Sequence, residues 1–267
     1  MFPQLLKIGD FVLPTYGFLV VSGMILGLIA ASKLAAREGL DADRVFNLGV
    51  YLALAGILGS KLALIMQDWD YYGADPKQLF SMSTLQSGGI WYGGLLGAIA
   101  AAFYFTRKYD LSFLRVGDVL MPGVALGLAI GRWGCFSAGC CWGEETNVPW
   151  AVTFTNPYSH ETVGVPLNVA LHPTQIYESL MSFAIFAFLW HKHRHKKYHG
   201  EILGWYLLLG PAARFVVELF RRHDEHAWII RNVLSDAQGV SVALIAFGAW
   251  LLWMSPFRRR ELSVPRA

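Results

Sequence analysis

Charged residues are scarce in this sequence. Aspartate, glutamate, lysine and arginine make up 15% of its 267 residues, whereas 55% are hydrophobic and the mean hydropathy is +0.40. A water-soluble domain of this length could not bury so much apolar surface, so the expected solvent is a lipid bilayer. The small net charge of +3 gives no reason to expect a nucleic-acid partner.

The chain also lacks a linker, a low-complexity tract and an internal repeat, which predicts a single integral membrane domain over residues 1–267. The predicted fold class is an all-α polytopic membrane protein, because about seven apolar windows are long enough to cross the hydrocarbon as helices. These windows lie near residues 11–32, 47–66, 89–106, 116–133, 175–191, 201–219 and 237–254. No small-residue cleavage site follows the first window, which favours a retained span over a signal peptide.

Lysine and arginine are missing from one long connection, residues 134–174. Basic residues are concentrated instead after the first, third and fifth windows and in the C-terminal tail: Lys33, Arg37, Arg44, Arg107, Lys108, Arg115, Lys192, Arg194, Lys196, Lys197, Arg258, Arg259, Arg260 and Arg266. The positive-inside rule therefore places the N-terminus outside and the C-terminus inside. Residues 134–174 become a small external cap, in which residues 150–154 alternate loosely and predict a short strand.

Few charges fall inside the windows, and each costs about 2.5–3.5 kcal/mol on insertion scales unless it has a partner. Lys61 lies toward the outer end of its window and is expected to extend its ammonium to the interface. Arg132 and Arg214 lie at the outer side, where lipid phosphates are the most abundant anions. Glu218 follows Arg214 by four residues, so it either neutralises this arginine or orients it toward a phosphate, and Arg221 comes one turn later.

A run of polar residues opens the fifth window. His172 precedes the helix and is predicted to act either as a base or as a structural cap, whereas Thr174 is predicted to be the N-cap. Gln175 and Glu178 lie on adjacent turns and are expected to face inward. A lone histidine before a helix is usually structural, but this one converges with two arginines on one side of the membrane.

Cysteine is rare, and its three positions, Cys135, Cys140 and Cys141, lie in one short segment. On the outer side of a membrane, Cys135 could form a disulfide with one of the other two. A zinc site would need a fourth ligand, and the spacing matches no common zinc pattern, so a metal site is the least favoured of the alternatives. The three side chains could instead serve as small packing residues, or one of them could be a nucleophile activated by Arg132.

Six segments resemble the prolipoprotein diacylglyceryl transferases, which are seven-span bacterial membrane enzymes. The similar segments are Tyr16-Gly17, Ser87-Gly88-Gly89-Ile90-Trp91-Tyr92-Gly93-Gly94-Leu95-Leu96-Gly97, Gly131-Arg132-x-Gly134 with Phe136 and Gly143, His172-Pro173-Thr174-Gln175-Ile176-Tyr177-Glu178, Arg214-Phe215-x-x-Glu218-x-x-Arg221 and Gln238-Gly239-x-Ser241. They occur in the family's order and cover nearly the whole chain.

The resemblance implies an enzyme that transfers the diacylglyceryl group of phosphatidylglycerol to the lipobox cysteine in the signal peptide of a preprolipoprotein. A thioether forms and glycerol phosphate leaves. No metal and no organic cofactor is expected. The implied location is the bacterial cytoplasmic (inner) membrane, which the chain crosses several times, and we expect a monomer.

The same resemblance implies roles for individual residues. Arg132 and Arg214 are expected to hold the lipid phosphate, and Glu218 to position Arg214. The predicted catalytic residues are Arg132, Arg214, Glu218, Tyr92 and His172. The predicted substrate-binding residues are Tyr16, Gly93, Gly94, Cys135, Gly143, Gln175, Glu178 and Arg221.

The chain departs from the family pattern at four positions. Tyr92 replaces a histidine, Cys135 replaces an asparagine, and Ala138 and Cys140 replace an asparagine and a glutamate. The general base is therefore not identified, since a phenol ordinarily keeps its proton at neutral pH. His172 could supply the base instead, or the arginines could ionise the substrate thiol. Three rival hypotheses follow: a paralogue with another acceptor, a non-catalytic lipid-binding membrane protein and a thiol-redox membrane protein.

Overall fold

The computed structural model describes residues 2–8, 11–81, 84, 89–222, 228–230 and 234–254. These residues form nine α-helices, one short 3-10 helix and three two-stranded antiparallel sheets. The helices are α1 (Thr15–Arg37), α2 (Ala42–Gln67), α3 (Trp69–Ala74), α4 (Trp91–Lys108), α5 (Phe113–Ala138), α6 (Pro157–Val163), α7 (Thr174–His193), α8 (Glu201–Glu218) and α9 (Asp236–Trp253). The 3-10 helix is Pro76–Phe80, and the strand pairs are β1–β2 (Gln4–Ile8, Phe11–Pro14), β3–β4 (Val152–Thr153, Ala170–Leu171) and β5–β6 (Trp228–Ile230, Leu234–Ser235).

A helix occupies each of the seven apolar windows, so the prediction of a mostly helical chain is confirmed. Among the described residues, four helices are both long and apolar enough to cross a membrane, namely α1, α2, α5 and α9. This architecture is that of a polytopic membrane protein. The other three helices in the windows, α4, α7 and α8, do not satisfy the same limits of length, hydropathy and charge.

Several helices begin or end a few residues away from the predicted window boundaries, and two of these differences affect predicted site residues. Residues 11–14 pair as strand β2, and α1 begins only at Thr15. At the other window, α5 does not end near residue 133 but continues to Ala138. It ends there because Gly139 adopts a φ of 84°, a left-handed conformation that glycine reaches without a steric penalty. Arg132 and Cys135 therefore lie within the last turns of a helix rather than at the start of a loop.

Some predicted features lie outside the described residues. They are Ser87 and Gly88 of the glycine-rich segment and the basic residues Arg258, Arg259, Arg260 and Arg266 of the C-terminal tail.

The chain forms two compact units, of which one comprises residues 35–116. In this unit α2 packs along α4, and glycines line the contact from both sides. A Cβ at Gly59 would collide with the carbonyl of Gly93 and lie 3.2 Å from the Cα of Gly97. Small residues thus let the two backbones approach closely, as in many membrane helix pairs. Lys61 does not need to reach water, since its Nζ donates to the carbonyl of Thr84 over 2.6 Å.

Replacing Gly59 with alanine should therefore destabilise the protein. The added methyl group would force α2 and α4 apart, and overpacking of this kind costs about 1–3 kcal/mol. We expect the apparent unfolding temperature in detergent to fall by roughly 2–4 °C for each kcal/mol. Gly56→Ala is the matched control, because a Cβ there meets its nearest neighbour, the Gly94 carbonyl oxygen, at 3.6 Å. Equal stability of the two variants would contradict this account of the packing.

The other unit comprises residues 1–34 and 117–267. Here α1 crosses α5 at small residues, since a Cβ on Gly27 would collide with the carbonyl of Gly123. Helix α9 packs along α8, and Gly248 approaches the backbone of Gly204 in the same way. The N-terminus of helix α9 is capped. Ser235 and Gln238 form a capping box in which the side chain of each residue accepts a hydrogen bond from the backbone N–H of the other.

A buried aspartate that we did not predict from the sequence joins α5 to the start of α8. Asp118 is completely buried, and its carboxylate accepts hydrogen bonds from the backbone N–H groups of Gly200, Ile202 and Leu203 over 2.8–3.0 Å. Lys196 adds an ion pair at 3.1 Å. Four donors offset the cost of burying this charge, and the carboxylate satisfies the free N–H groups at the N-terminus of α8.

The connection between α5 and α7 has a small core of its own. Phe154, Val165 and Leu171 are almost fully buried, with Trp142 and Val169 packed against them. Strands β3 and β4 pair within this connection, which confirms the short strand predicted in residues 150–154. Helix α6 follows this strand, and it begins at Pro157 because the side chain of Asn156 at the N-cap accepts from the N–H of Tyr158 over 3.0 Å.

Candidate functional site

A buried glutamate links the ends of three helices. Arg132 on α5 contacts Glu178 on α7, with Nη2 and Oε1 2.7 Å apart, and the side chain of Glu178 is only 7% exposed. Arg214 on α8 lies on the other oxygen of the same carboxylate, at 3.7 Å. Arg132 therefore has a carboxylate of the protein as a counter-ion. Its predicted role in holding a lipid phosphate stays a prediction.

A second carboxylate extends this network along α8. Glu218 contacts Arg214 at 2.6 Å, so the predicted pairing over four residues is present. Arg221 lies 3.7 Å from the same oxygen of Glu218, and the Ser235 hydroxyl donates to its other oxygen over 3.4 Å. Glu218 is thereby held from three directions, which fixes the orientation of Arg214.

The network carries more positive than negative charge among the described residues. Three guanidinium groups, those of Arg132, Arg214 and Arg221, face two carboxylates, those of Glu178 and Glu218. In addition, Nε of Arg132 and Nη1 of Arg214 are buried and have no hydrogen-bond acceptor among the residues that the structure describes. Buried donors ordinarily have an acceptor, so the arrangement is suited to an anionic ligand that presents several oxygens.

Backbone hydrogen bonds hold the connection between α5 and α7 against the start of α7 and the end of α8. The N–H of Gly143 donates to the carbonyl of His172 over 3.1 Å, and that of Glu144 donates to the carbonyl of Phe220 over 2.9 Å. Gly143 also forms an isolated bridge with Arg221. A Cβ at Gly143 would lie 2.6 Å from both His172 and Phe220, so only glycine fits between the two segments. The structure therefore gives Gly143 a part in positioning Arg221.

The start of α7 is arranged differently from the prediction. Thr174 does not cap the helix, because it is the first helical residue and Pro173 occupies the N-cap position. Its hydroxyl donates instead to the carbonyl of Cys141 over 2.7 Å, and Nε2 of Gln175 donates to the carbonyl of Cys140 over 2.7 Å. Both side chains are almost fully buried. They fasten the segment that follows α5 to the start of α7.

His172 lies in an aromatic cluster. Its Nδ1 shares a hydrogen bond of 3.2 Å with the hydroxyl of Tyr177, and the indole N–H of Trp150 donates to that hydroxyl over 2.6 Å. The ring also packs against Phe220, with the centroids 5.2 Å apart. These contacts fit a structural role for His172, and its role as a base stays a prediction.

The three cysteines are free thiols, so the structure contains none of the predicted disulfides. Their sulfur atoms all lie within 4.8 Å of one another. Nη1 of Arg132 is 3.7 Å from Sγ of Cys135, which brings the cluster next to the arginine network. Hydrogen bonds from the thiols of Cys135 and Cys140 lower the pKa of the Cys141 thiol, and the positive charges of Arg221 and Arg132 lower it further.

Two other groups of predicted site residues lie on α1 and on α4. Tyr16, on α1, packs beside α5, since a Cβ at Gly134 would lie 3.1 Å from its carbonyl. Tyr92, Gly93 and Gly94 are the second to fourth residues of α4, in the unit of residues 35–116. The two glycines contact α2, which gives them a packing role. Their predicted part in binding substrate, like the catalytic part of Tyr92, stays a prediction.

Comparison with known proteins identifies the family. The sequence model of a family described as prolipoprotein diacylglyceryl transferase matches residues 3–254. The chain belongs to this family. Similar proteins named phosphatidylglycerol–prolipoprotein diacylglyceryl transferase include one of Finegoldia magna, 34% identical over 238 residues and 88% of both chains. Another, of Clostridium tetani, is 31% identical over 262 residues, which are 97% of this chain and all of the relative. A third, of Synechocystis sp., is 32% identical over 259 residues, which are 94% of this chain and 89% of the relative.

Within this family fold, sequence reasoning misses one function of a site residue. Glu178 is predicted to bind substrate, whereas the structure adds its contacts with Arg132 and Arg214. A signal for these contacts is present in the sequence, since a carboxylate in an apolar helix needs a cation. The two arginines on the same predicted side of the membrane are the natural candidates.

Proposed function

We propose that this protein is a phosphatidylglycerol–prolipoprotein diacylglyceryl transferase. The sulfur of a lipobox cysteine attacks the terminal glyceryl carbon that bears the phosphate of phosphatidylglycerol. A carbon–sulfur bond forms, the carbon–oxygen bond to the phosphate breaks, and glycerol phosphate leaves with the electron pair. Family membership and the names of the relatives support this reaction.

The observation that carries the proposal is the pair of arginines that meet across Glu178. A lipid phosphodiester has one negative charge, which matches the surplus positive charge of the network. It also offers acceptor oxygens to Nε of Arg132 and Nη1 of Arg214, for which the described residues supply none. As the carbon–oxygen bond breaks, negative charge grows on the phosphate, and fixed guanidinium groups stabilise it. Glu178 and Glu218 hold the guanidinium groups of Arg132 and Arg214 in place and still leave the network one surplus positive charge.

We further propose that the chain is one membrane domain of seven spans, with its N-terminus outside, and that it acts as a monomer in the bacterial cytoplasmic membrane. The contacts within the arginine network support this topology. The end of α5, the start of α7 and the end of α8 meet at Glu178, and all three are predicted to face outward. The start of α5 and the start of α8 meet at Asp118, and both are predicted to face inward.

The test of the function is a transfer assay with the purified full-length protein in detergent. Phosphatidylglycerol and a synthetic lipobox peptide should yield the thioether lipopeptide, seen by mass spectrometry, together with glycerol phosphate. A peptide in which the lipobox cysteine is serine is the control and should give no product. Failure to form product with folded protein and verified lipid would refute the proposal.

We propose Tyr92 as the group that helps to remove the thiol proton, with His172 as the second candidate. Tyr92→Phe should then lower kcat by about 10²-fold or more, with little change in KM, because positioned acid–base groups contribute factors of this size. Tyr92→His, which introduces the residue type common in the family, should keep activity. Tyr104→Phe, which removes an exposed hydroxyl from the same helix, is the matched control. Full activity of Tyr92→Phe would shift the role to His172.

A further inference from the structure

Three thiols converge at the end of α5, and the transfer reaction proposed above has no chemical step at any of their sulfur atoms. The sulfur atoms of Cys135, Cys140 and Cys141 lie within 4.8 Å of one another, and the thiols are free. Cys135 is buried, and the other two are partly buried. A disulfide would use two of these sulfurs and leave the third without a purpose. A function for the cluster therefore has to account for all three.

The backbone that brings the thiols together is an unusual turn. Gly139 and Cys141 both have positive φ, of 84° and 62°. For Cys141, which has a side chain, this conformation is uncommon and costs energy, and such residues are concentrated at functional sites. The positive φ of Gly139 folds the chain back over the helix end, where the N–H of Cys140 donates to the carbonyl of Cys135 over 3.1 Å.

Buried side chains then hold this turn in place. Thr174 donates to the carbonyl of Cys141 and Gln175 to that of Cys140, both over 2.7 Å, and each of these side chains is 1% exposed. The thiols are thus carried on backbone that is fixed to α7, and they need little rearrangement to bind a common partner. Preorganisation of this kind is what a binding site requires.

We propose that Cys135, Cys140 and Cys141 bind a soft metal ion, Cu(I), through their three sulfur atoms. Thiolates prefer soft ions, and Cu(I) is among those that they select. Structural zinc sites almost always have four protein ligands, and among the described residues no further cysteine, histidine or carboxylate completes this cluster. Three thiolates around one Cu(I) carry a net negative charge, and the guanidinium of Arg132, with Nη1 3.7 Å from Sγ of Cys135, offsets part of it.

Binding needs no redox partner. Each thiol loses its proton to the solvent as its sulfur coordinates the ion, so copper uptake releases up to three protons and transfers no electron. The site goes beyond the proposed lipid transfer and does not depend on it. Arg132 contacts both the thiol cluster and the carboxylate of the arginine network. A bound ion and a lipid phosphate would therefore share its guanidinium group.

The test uses the full-length protein, reduced with a phosphine and kept without oxygen in detergent. It is incubated with Cu(I) buffered by bicinchoninate, freed of excess metal and analysed for copper per protein chain. We expect one copper ion, with three sulfur neighbours in the X-ray absorption spectrum. The variant in which all three cysteines are serine should retain at least tenfold less copper, and its residual amount also measures binding by histidines elsewhere.

A matched control and a competing ion make this test decisive. Ser137→Ala changes the same helix end without touching the thiols, since the Ser137 hydroxyl donates to the carbonyl of Trp133, and it should bind copper like the native chain. Equal copper in the native chain and the triple serine variant would overturn the proposal. Retention of Zn(II) but not Cu(I), or fewer than three sulfur neighbours, would also overturn it.

Discussion

Replacing Arg214 with alanine should lower the rate of diacylglyceryl transfer by about 10²–10³-fold, the usual effect of removing one fixed donor from a developing anion. Its Nη1 is buried and has no hydrogen-bond acceptor within the described part of the chain, and it lies 3.7 Å from the carboxylate that also contacts Arg132. The protein should stay folded, because Glu218 keeps Arg221 as a counter-ion at 3.7 Å and the hydroxyl of Ser235 as a donor. Initial rates in the transfer assay, with unfolding temperatures measured in parallel, check both expectations.

The matched control for this variant is Arg222→Ala. It removes the same charge from an exposed position just beyond Arg221, and it should leave the rate within about twofold of the native value. Arg214→Lys should restore little activity, because an ammonium keeps the charge but not the planar fork that binds two phosphate oxygens. A rate near the native value for Arg214→Ala would contradict the arginine pair, even if the protein transfers lipid by another route.

Local sequence patterns predict the helices and the pairing of Arg214 with Glu218. Both depend on periodicity along one helix, where residues four apart are neighbours whatever the rest of the chain does. Periodicity does not predict the residue at which a helix begins or ends. Residues 134–138 are compatible with helix or loop, and the positive φ of Gly139 decides where the helix ends. The prediction for Thr174 is wrong because its hydroxyl has a better acceptor, the carbonyl of Cys141, thirty-three positions away in sequence.

The contacts that assemble the site join residues that are distant in the chain. The periodicity of the sequence cannot predict such contacts. Asp118 holds the start of α8, and the N–H groups that donate to it there are more than eighty positions away in sequence. Glu178 is forty-six positions from Arg132. The cysteine cluster also could not be predicted from spacing along the chain. The spacing argues against a zinc site, and the three sulfur atoms converge only because of the turn that contains Cys141. Predicting such sites requires asking which buried charges and donors lack a partner, rather than which motif they match.

The second large effect is expected at Glu178. Its replacement by alanine leaves Arg132 and Arg214 facing one another without the carboxylate that separates them at 2.7 and 3.7 Å. Removing one partner of a buried ion pair commonly costs about 3–5 kcal/mol, because the remaining charge stays buried without compensation. We therefore expect a marked fall in the unfolding temperature and a loss of transfer. Glu178→Gln keeps an oxygen that can accept from Arg132, so its loss of stability should be smaller.

Lipid can distinguish a binding site from a purely structural ion pair. If the two guanidinium groups bind a phosphodiester, phosphatidylglycerol in the micelles should restore part of the stability lost in Glu178→Ala, since its negative charge substitutes for the missing carboxylate. Micelles with a neutral diacylglycerol should not restore it. Glu161→Ala, which removes an exposed carboxylate on α6, should unfold at the native temperature in both. Equal unfolding temperatures of Glu178→Ala with either lipid would mean that the arginines hold the helices together without binding the substrate.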